Sequence, residues 1–445
     1  MSTVLAPPLP TVSFRDAAQA DNRAVPIHRW VPWVAGYSAG FVSDVFDHYL
    51  GDRQDATILD PFGGVGTTLI EAQLRGWTSV GFEINAYAAL ASRVKLAAAS
   101  IDPEELDAAI RAYRREVGEI ELLVDSGQSV GRTPTSTVPS GFKTRIAFFS
   151  PPVELKVLYS LDFVATLDAK LGDLFRLAFA SVMVSLSNYS YEPSLSTRPG
   201  SGKPLRENAA VVETIAGKLE SMLADIRQID FAAAKSDWQI HECSFMDEGL
   251  ARLEPNSIDL LLTSPPYLNN YHYVRNTRPQ MYWLGYANSA RDLRNLEETN
   301  FGRFWQTVRE LEPIGLDFEL PALESKIEEI RALNPDKGTY GGNGWANYAA
   351  TYYNDVYRCL EVVAEVMKPG AAAVFVVGNS VIQGVHLPID QHFAAIGELH
   401  GLVTDDIHVV REKRVGSSIV NSGLRTRTDV PDRLYDAATV LRKPS

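Results

Sequence analysis

Residues 57–83 constrain the fold more than any other stretch. The run Thr57, Ile58, Leu59 ends in Asp60, Pro61 and Phe62, and Gly63, Gly64 and Gly66 then lead through Thr67 and Thr68 into a helical run over 69–75. Residues 77–82 read as a second strand, closed by Glu83 and followed by Asn85. A strand, a glycine loop, a helix, a second strand and a terminal acid make up the first unit of a doubly wound sheet. Glycines let the backbone turn back and approach a ligand closely, and an acid ending the second strand accepts hydrogen bonds from two ribose hydroxyls. The dinucleotide fingerprint GxGxxG is not met, because Leu69 stands where a third glycine would follow Gly64 and Gly66. The pattern suits a nucleoside cofactor that brings no pyrophosphate.

A second anchor lies far along the chain. Residues 258–262 are mostly apolar and read as a buried strand, so Thr263, Ser264, Pro265, Pro266 and Tyr267 form a loop at its carboxyl end, where open α/β sheets place their chemistry. A short polar acceptor, two stiffening prolines and an aromatic ring suit a site that holds a planar amine and stacks on its base. Another copy of the tripeptide, Ser150, Pro151 and Pro152, is followed by Val153 in place of the aromatic and reads as a turn.

Together these stretches resemble the amino-group DNA methyltransferases, the S-adenosylmethionine-dependent enzymes of cytosine N4 and adenine N6. The resemblance is specific over residues 27–99 and 238–286, and the last block matches only as a strand pattern. It implies a Rossmann-like doubly wound methyltransferase sheet, mostly parallel with an antiparallel late strand, carrying helical insertions. It implies cofactor contacts from Asp60, Pro61, Phe62, Gly63, Gly64, Gly66, Thr67, Thr68, Glu83 and Asn85, and a catalytic loop of Ser264, Pro265, Pro266 and Tyr267. The segment 28–38, with Trp30, Trp33 and Tyr37, resembles the family's motif X, which closes over the methionine end of the cofactor; this adds His28 as a contact. Packing of those aromatics as a hydrophobic clasp is the alternative. Ser244 stands near where the family often has an acid against the adenine ring. The family occurs with its two halves in either order, and here the cofactor half comes first.

An exocyclic amine is a poor nucleophile because its lone pair is delocalised into the ring. Acceptors such as the Ser264 hydroxyl and the Pro265 carbonyl draw the nitrogen out of conjugation, with no covalent intermediate on the enzyme. The base must leave the duplex, and Tyr267 is the ring expected to stack on it. Serine at the first catalytic position points, through the resemblance, to cytosine N4, with adenine N6 as the alternative. An RNA guanine-N2 methyltransferase and a catalytically silent DNA-binding subunit are further alternatives. The former usually carries an N-terminal RNA-binding module, for which the residues before Thr57 leave little room; the latter predicts damage to a motif, and both motifs are intact.

The net charge of −13 argues against a protein that coats nucleic acid indiscriminately, since phosphate contacts require cations. Local basic clusters remain candidates for double-stranded DNA: Arg198, Lys203 and Arg206; Arg411, Lys413 and Arg414; Arg425 and Arg427. Asn269, Asn270, Tyr271, Tyr273 and Arg275, beside the catalytic loop, suit base edges and phosphates, or simply cap the loop. Asn379, at a strand end, is a weaker candidate of the same kind.

Two cysteines, Cys243 and Cys359, make neither a disulfide framework nor a metal spacing, and neither follows a proline as the nucleophile of cytosine C5 enzymes does. With no run of membrane-spanning length, a cytoplasmic protein without metal is expected. The chain divides by pattern into a flexible arm (1–25), a cofactor half (26–100), a largely helical insertion that could read the target (101–236), a catalytic half (237–286), a second insertion (287–347) and the remaining core strands (348–445). A cognate restriction nuclease or defence-system subunit is an expected partner.

Overall fold

The computed structural model describes residues 14–15, 17, 19–33, 36–192, 194–229, 236–268, 273–414 and 433–445. Among them, seven strands form one sheet: β1 (Thr57–Asp60), β2 (Thr78–Phe82), β3 (Trp238–His241), β4 (Ile258–Thr263), β5 (Met367–Gly378), β6 (Val403–Arg414) and β7 (Arg433–Arg442). Their spatial order is β6-β7-β5-β4-β1-β2-β3. β3, β2, β1, β4 and β5 run parallel, and β7 is antiparallel to both β5 and β6. This is the Rossmann-like methyltransferase sheet with an antiparallel late strand. The order reverses between β1 and β4, the switch point at which such sheets bind ligands.

β4 is buried at every position, as a central parallel strand must be. Its one acid, Asp259, is satisfied at the amino end of the sheet, where Oδ2 accepts from the Thr57 amide at 2.9 Å and from Lys368 Nζ at 2.7 Å. β5 begins with an irregular stretch over Lys368, Pro369 and Gly370, with Gly370 at φ 81 and a register shift against β4 between Ile258 and Leu260.

Helices α1 (Ala39–Tyr49), α2 (Thr67–Leu74) and α3 (Ala86–Leu96) flank the first two strands. Gly66, left-handed at φ 84, precedes α2, and Asn85 caps α3 by accepting from the amides of Tyr87 and Ala88. The long segment before β3 contains α4 (Pro103–Asp125), α5 (Pro151–Val164), α6 (Ala169–Leu186) and α7 (Val211–Gln228), which share one apolar core with α3. The tripeptide Ser150, Pro151, Pro152 does not form a free turn: Ser150 is the N-cap of α5 and both prolines sit in its first turn, where no amide donor is needed. Asp225 of α7 ties this bundle to the N-terminal segment. It accepts from the Ile27 amide at 2.9 Å and Trp30 Nε1 at 2.9 Å, and it pairs with Arg29.

After β3 come α8 (Phe245–Arg252), then α9 (Tyr273–Trp283), α10 (Ala290–Thr299), α11 (Trp305–Val308), α12 (Pro321–Arg331), α13 (Gly342–Val366) and α14 (Ile389–Leu399). α13 starts at Gly342. The glycine-rich sequence looks like a loop, yet a Cβ at Gly342 would fall 2.1 Å from the Ile330 carbonyl, so glycine is what lets the helix approach α12.

Candidate active site

A cleft with about 960 Å³ of empty space lies at the carboxyl ends of β1, β2, β3 and β4. Its floor is the glycine loop. Gly64 has φ 50, and its amide donates to Glu83 Oε2 at 2.9 Å, while the Asn85 amide donates to Glu83 Oε1 at 2.7 Å. From beneath, Ser92 Oγ donates to the Gly64 carbonyl at 2.9 Å and Lys95 Nζ to the Val65 carbonyl at 3.0 Å. A Cβ on Gly64 would meet Trp33 Nε1 at 3.3 Å, and one on Gly66 would meet Ser92 Oγ at 3.0 Å. Loop, indole and α3 are therefore fitted to glycine.

Asp60 joins the glycine loop to the serine–proline loop. Its Oδ1 accepts from Thr263 Oγ1 at 2.6 Å and from the Phe62 amide at 3.1 Å, and its Oδ2 accepts from the Tyr37 hydroxyl at 3.3 Å. Tyr37 also contacts the Thr68 hydroxyl closely. Burial pushes the Asp60 carboxyl up to about 6, against the hydrogen bonds led by Thr263. Burial likewise raises Glu83 to about 7, opposed by the amides of Asn85 and Gly64. Lys, Arg and His are absent from the described lining residues. Among its described lining residues the cleft thus holds two carboxyl groups and no cation.

Ser264 lines this cleft with its Oγ buried and close to the Tyr267 hydroxyl, but without a well-formed hydrogen bond among the described residues; the Oγ of Ser244 is buried and has no partner among them. Burial, and next the charge of Asp436, drive the Tyr267 phenol far up, while Ser264 acts in the opposite sense. The Tyr267 ring lies against Gly378 at the end of β5, where a Cβ would come within 3.1 Å of it. Trp33 stacks on Tyr273 with ring centroids 6.2 Å apart, closing one side.

Of the residues singled out in the sequence, Asp60, Pro61, Phe62, Gly63, Gly64, Thr67, Glu83, Asn85, Ser244, Ser264 and Pro266 line the cleft. Gly66, Thr68 and Pro265 are absent from its lining; Thr68 supports it through Tyr37, and Tyr267 lines an adjoining hollow. His28 does not reach the cleft. It is 3% exposed, with Nε2 3.0 Å from Glu71 Oε1 of α2, because the bonds to Asp225 hold its segment against the helices. Two of its neighbours, Trp33 and Tyr37, do line the cleft. Cys243, Phe245 and Met246 after β3, and Leu296, Thr299, Asn300 and Phe301 around the end of α10, also form walls that no motif announces.

Among the basic candidates, Arg198 and Lys203 lie on and just after a hairpin (Tyr189–Tyr191 with Leu195–Thr197) that is pinned to α9. The Tyr191 hydroxyl donates to the Asn276 carbonyl at 2.9 Å, and the Leu195 amide to Asn276 Oδ1 at 3.3 Å. Arg275 is exposed on the same helix, so these three cations stand on connected elements. Lys203 is paired with Glu192. Arg411 is exposed on β6. Asn269, Asn270, Tyr271, Arg425 and Arg427 lie outside the described residues, as do the side chains of Lys413 and Arg414. Asn379 fastens β5 to β7 by accepting from the Tyr435 amide at 2.8 Å.

No protein-family model matches the chain. The Type II methyltransferase M.BsoBI of Geobacillus stearothermophilus is 24% identical over 435 residues, covering 89% of this chain and 82% of that protein. The Type II methyltransferase M.AvaI of Nostoc sp. is 22% identical over 452 residues, covering 95% and 88%. Among solved structures, the rRNA methyltransferase aviRa from Streptomyces viridochromogenes aligns over 96% of both chains at 10% identity and a TM-score of 0.31, a likeness too slight to bear on substrate. Along most of its length the chain is thus similar to type II methyltransferases, and its cleft lies at the switch point of the sheet.

Proposed function

We propose that this chain is an S-adenosylmethionine-dependent methyltransferase acting on the exocyclic amine of a flipped base in double-stranded DNA, with cytosine N4 as the target. The observation that carries the reading is the cleft itself: Asp60 and Glu83 line it without a basic side chain among the described lining residues, and it opens onto the buried hydroxyl of Ser264. A phosphate-bearing cofactor would face two acids there. A cofactor that carries positive charge and no phosphate matches them, and S-adenosylmethionine is such a molecule. Glu83 would accept the ribose hydroxyls, the Gly63–Gly64 loop would lie under the nucleoside, and Ser244 offers a free hydroxyl to the adenine. When bound, the cofactor supplies an electrophilic methyl group on a sulfonium.

The residues of the chain act on the amine. Ser264 Oγ and the Pro265 carbonyl accept its two N–H groups, which pyramidalises the nitrogen and frees its lone pair. Pro265 and Pro266 hold the acceptors rigid, so little ordering is left for the moment of reaction. The alkylated amine is acidic enough to release its proton to water, so Ser264 need not act as a strong base. Tyr267 stacks on the base and keeps it out of the duplex. The type II relatives favour a role in restriction–modification, with a cognate nuclease as partner.

The test is to incubate the protein with methyl-labelled S-adenosylmethionine and unmodified bacterial DNA, then to resolve the nucleosides. Label in N4-methylcytosine is expected. Label in N6-methyladenine would transfer the assignment to the other base, and label in RNA alone would overturn the DNA reading.

A further inference from the structure

A second hollow adjoins the cleft. Pro266, Tyr273, Val274, Asn300 and Phe301 line both, so these residues form a common wall. On the far side stand Tyr267, Glu297, Arg303, Phe304, Tyr348 and Tyr352. Most of these come from the second polar excursion and from α13, not from either sequence motif. The Tyr352 hydroxyl is buried and has no hydrogen-bond partner among the described residues.

The turn that walls this hollow is held in an unusual conformation. Gly302 and Arg303 both have positive φ, 74° and 43°, and a long side chain rarely adopts that region without reinforcement. The reinforcement is visible. Asp355 of α13 accepts from the Gly302 amide at 2.8 Å, the Arg303 amide donates to the Asn300 carbonyl at 2.9 Å, and the Tyr352 ring leaves no room for a Cβ on Gly302. Arg303, on this turn, is the one cation among the described residues lining an aromatic-walled space that shares a wall with the reaction cleft.

We infer that this hollow receives the extruded base and that the turn from Asn300 to Phe304 selects it, with Arg303 donating to the ring carbonyl that cytosine has and adenine lacks. The inference rests on the methyl-transfer reading above. Aromatic rings suit the faces of a base, and a fixed donor fork suits a carbonyl at its edge. Glu297 lines the same hollow, and burial raises its carboxyl above the ordinary value. Asp355 acts as a positioning residue through Gly302.

Arg303→Gly is the informative variant, because glycine keeps the left-handed turn and removes only the side chain. The full chain and the variant are compared for S-adenosylmethionine affinity by calorimetry and for methyl transfer to unmodified genomic DNA across a salt series. The expected result is an unchanged cofactor affinity and a roughly 10- to 100-fold lower kcat/KM for DNA, the range of one lost base-edge pairing. Asp355→Ala should show the same loss and Asp355→Asn, which retains an acceptor, should recover most of it. An unchanged kcat/KM in Arg303→Gly overturns the assignment. So does a weaker but chemically competent enzyme with a shallower salt dependence, which marks Arg303 as a phosphate contact. Label in N6-methyladenine from the unaltered chain removes the carbonyl argument and leaves methyl transfer standing. Absence of DNA label despite cofactor binding removes both.

Discussion

The chain carries the tripeptide Ser-Pro-Pro twice, and the two copies are used for opposite purposes. The hydroxyls of both serines are buried, and neither makes a well-formed hydrogen bond among the described residues. Ser150, Pro151 and Pro152 follow Phe148 and Phe149 and start α5 inside the helical bundle, where the prolines serve as first-turn residues. Ser264, Pro265 and Pro266 follow a fully buried strand and end at a cleft. An orphaned hydroxyl is thus no evidence of function by itself. What separates the copies is what they follow and face: one is enclosed by apolar side chains, the other stands opposite Asp60, Glu83 and the glycine loop.

Gly64→Asp tests that contrast most severely. If the Ser264 loop is a site only because of the loop it faces, a side chain at φ 50 against the Trp33 indole, adding a third acid, should weaken cofactor binding by more than about 1000-fold. Calorimetry returning an unaltered affinity would detach the two loops. Ser264→Ala comes next. Turnover should fall about 100-fold, the scale of one lost transition-state hydrogen bond, with cofactor affinity within about twofold of the original. A normal single-turnover rate would mean that another acceptor polarises the amine.

A pH series separates the loops electrostatically. Glu83, raised to about 7 by burial, is mostly neutral at pH 6 in the free protein. A cationic ligand with two hydroxyl donors favours its ionised form, so binding releases a proton and affinity should rise about tenfold between pH 6 and pH 8. Glu83→Gln should flatten that rise, and a slope persisting in the variant would assign the proton elsewhere. The smallest effect belongs to Ser150→Ala. Removing a hydroxyl that has no partner should change stability by less than about 0.5 kcal/mol and leave turnover intact. Loss of methyl transfer there would break the comparison from its other side.

The cofactor loop was legible because its signals are local: glycines that must turn, an apolar strand before them and an acid after the next strand. The serine–proline loop was legible for the same reason once its preceding strand was recognised. What the sequence hid arises from tertiary packing. His28 looked like a contact from its place beside Trp30 and Trp33, yet Asp225 and Glu71, both distant in the chain, hold its segment so that only Trp33 and Tyr37 reach the cleft. The walls formed by Leu296, Thr299, Asn300 and Phe301 come from a helix whose composition is polar and ordinary. The start of α13 is hidden by glycines, which signal a loop unless the neighbouring helix is known to lie within contact of the backbone.

The bond from Thr263 to Asp60 spans 203 positions of sequence and only 2.6 Å of space. It is possible because β1 and β4 are parallel neighbours, so their carboxyl ends meet whatever path the chain takes between them. The reacting loops are consequently indifferent to connectivity. A circularly permuted chain, its two ends joined by a linker and reopened in the exposed stretch between α4 and α5, would bring the same two strand ends together.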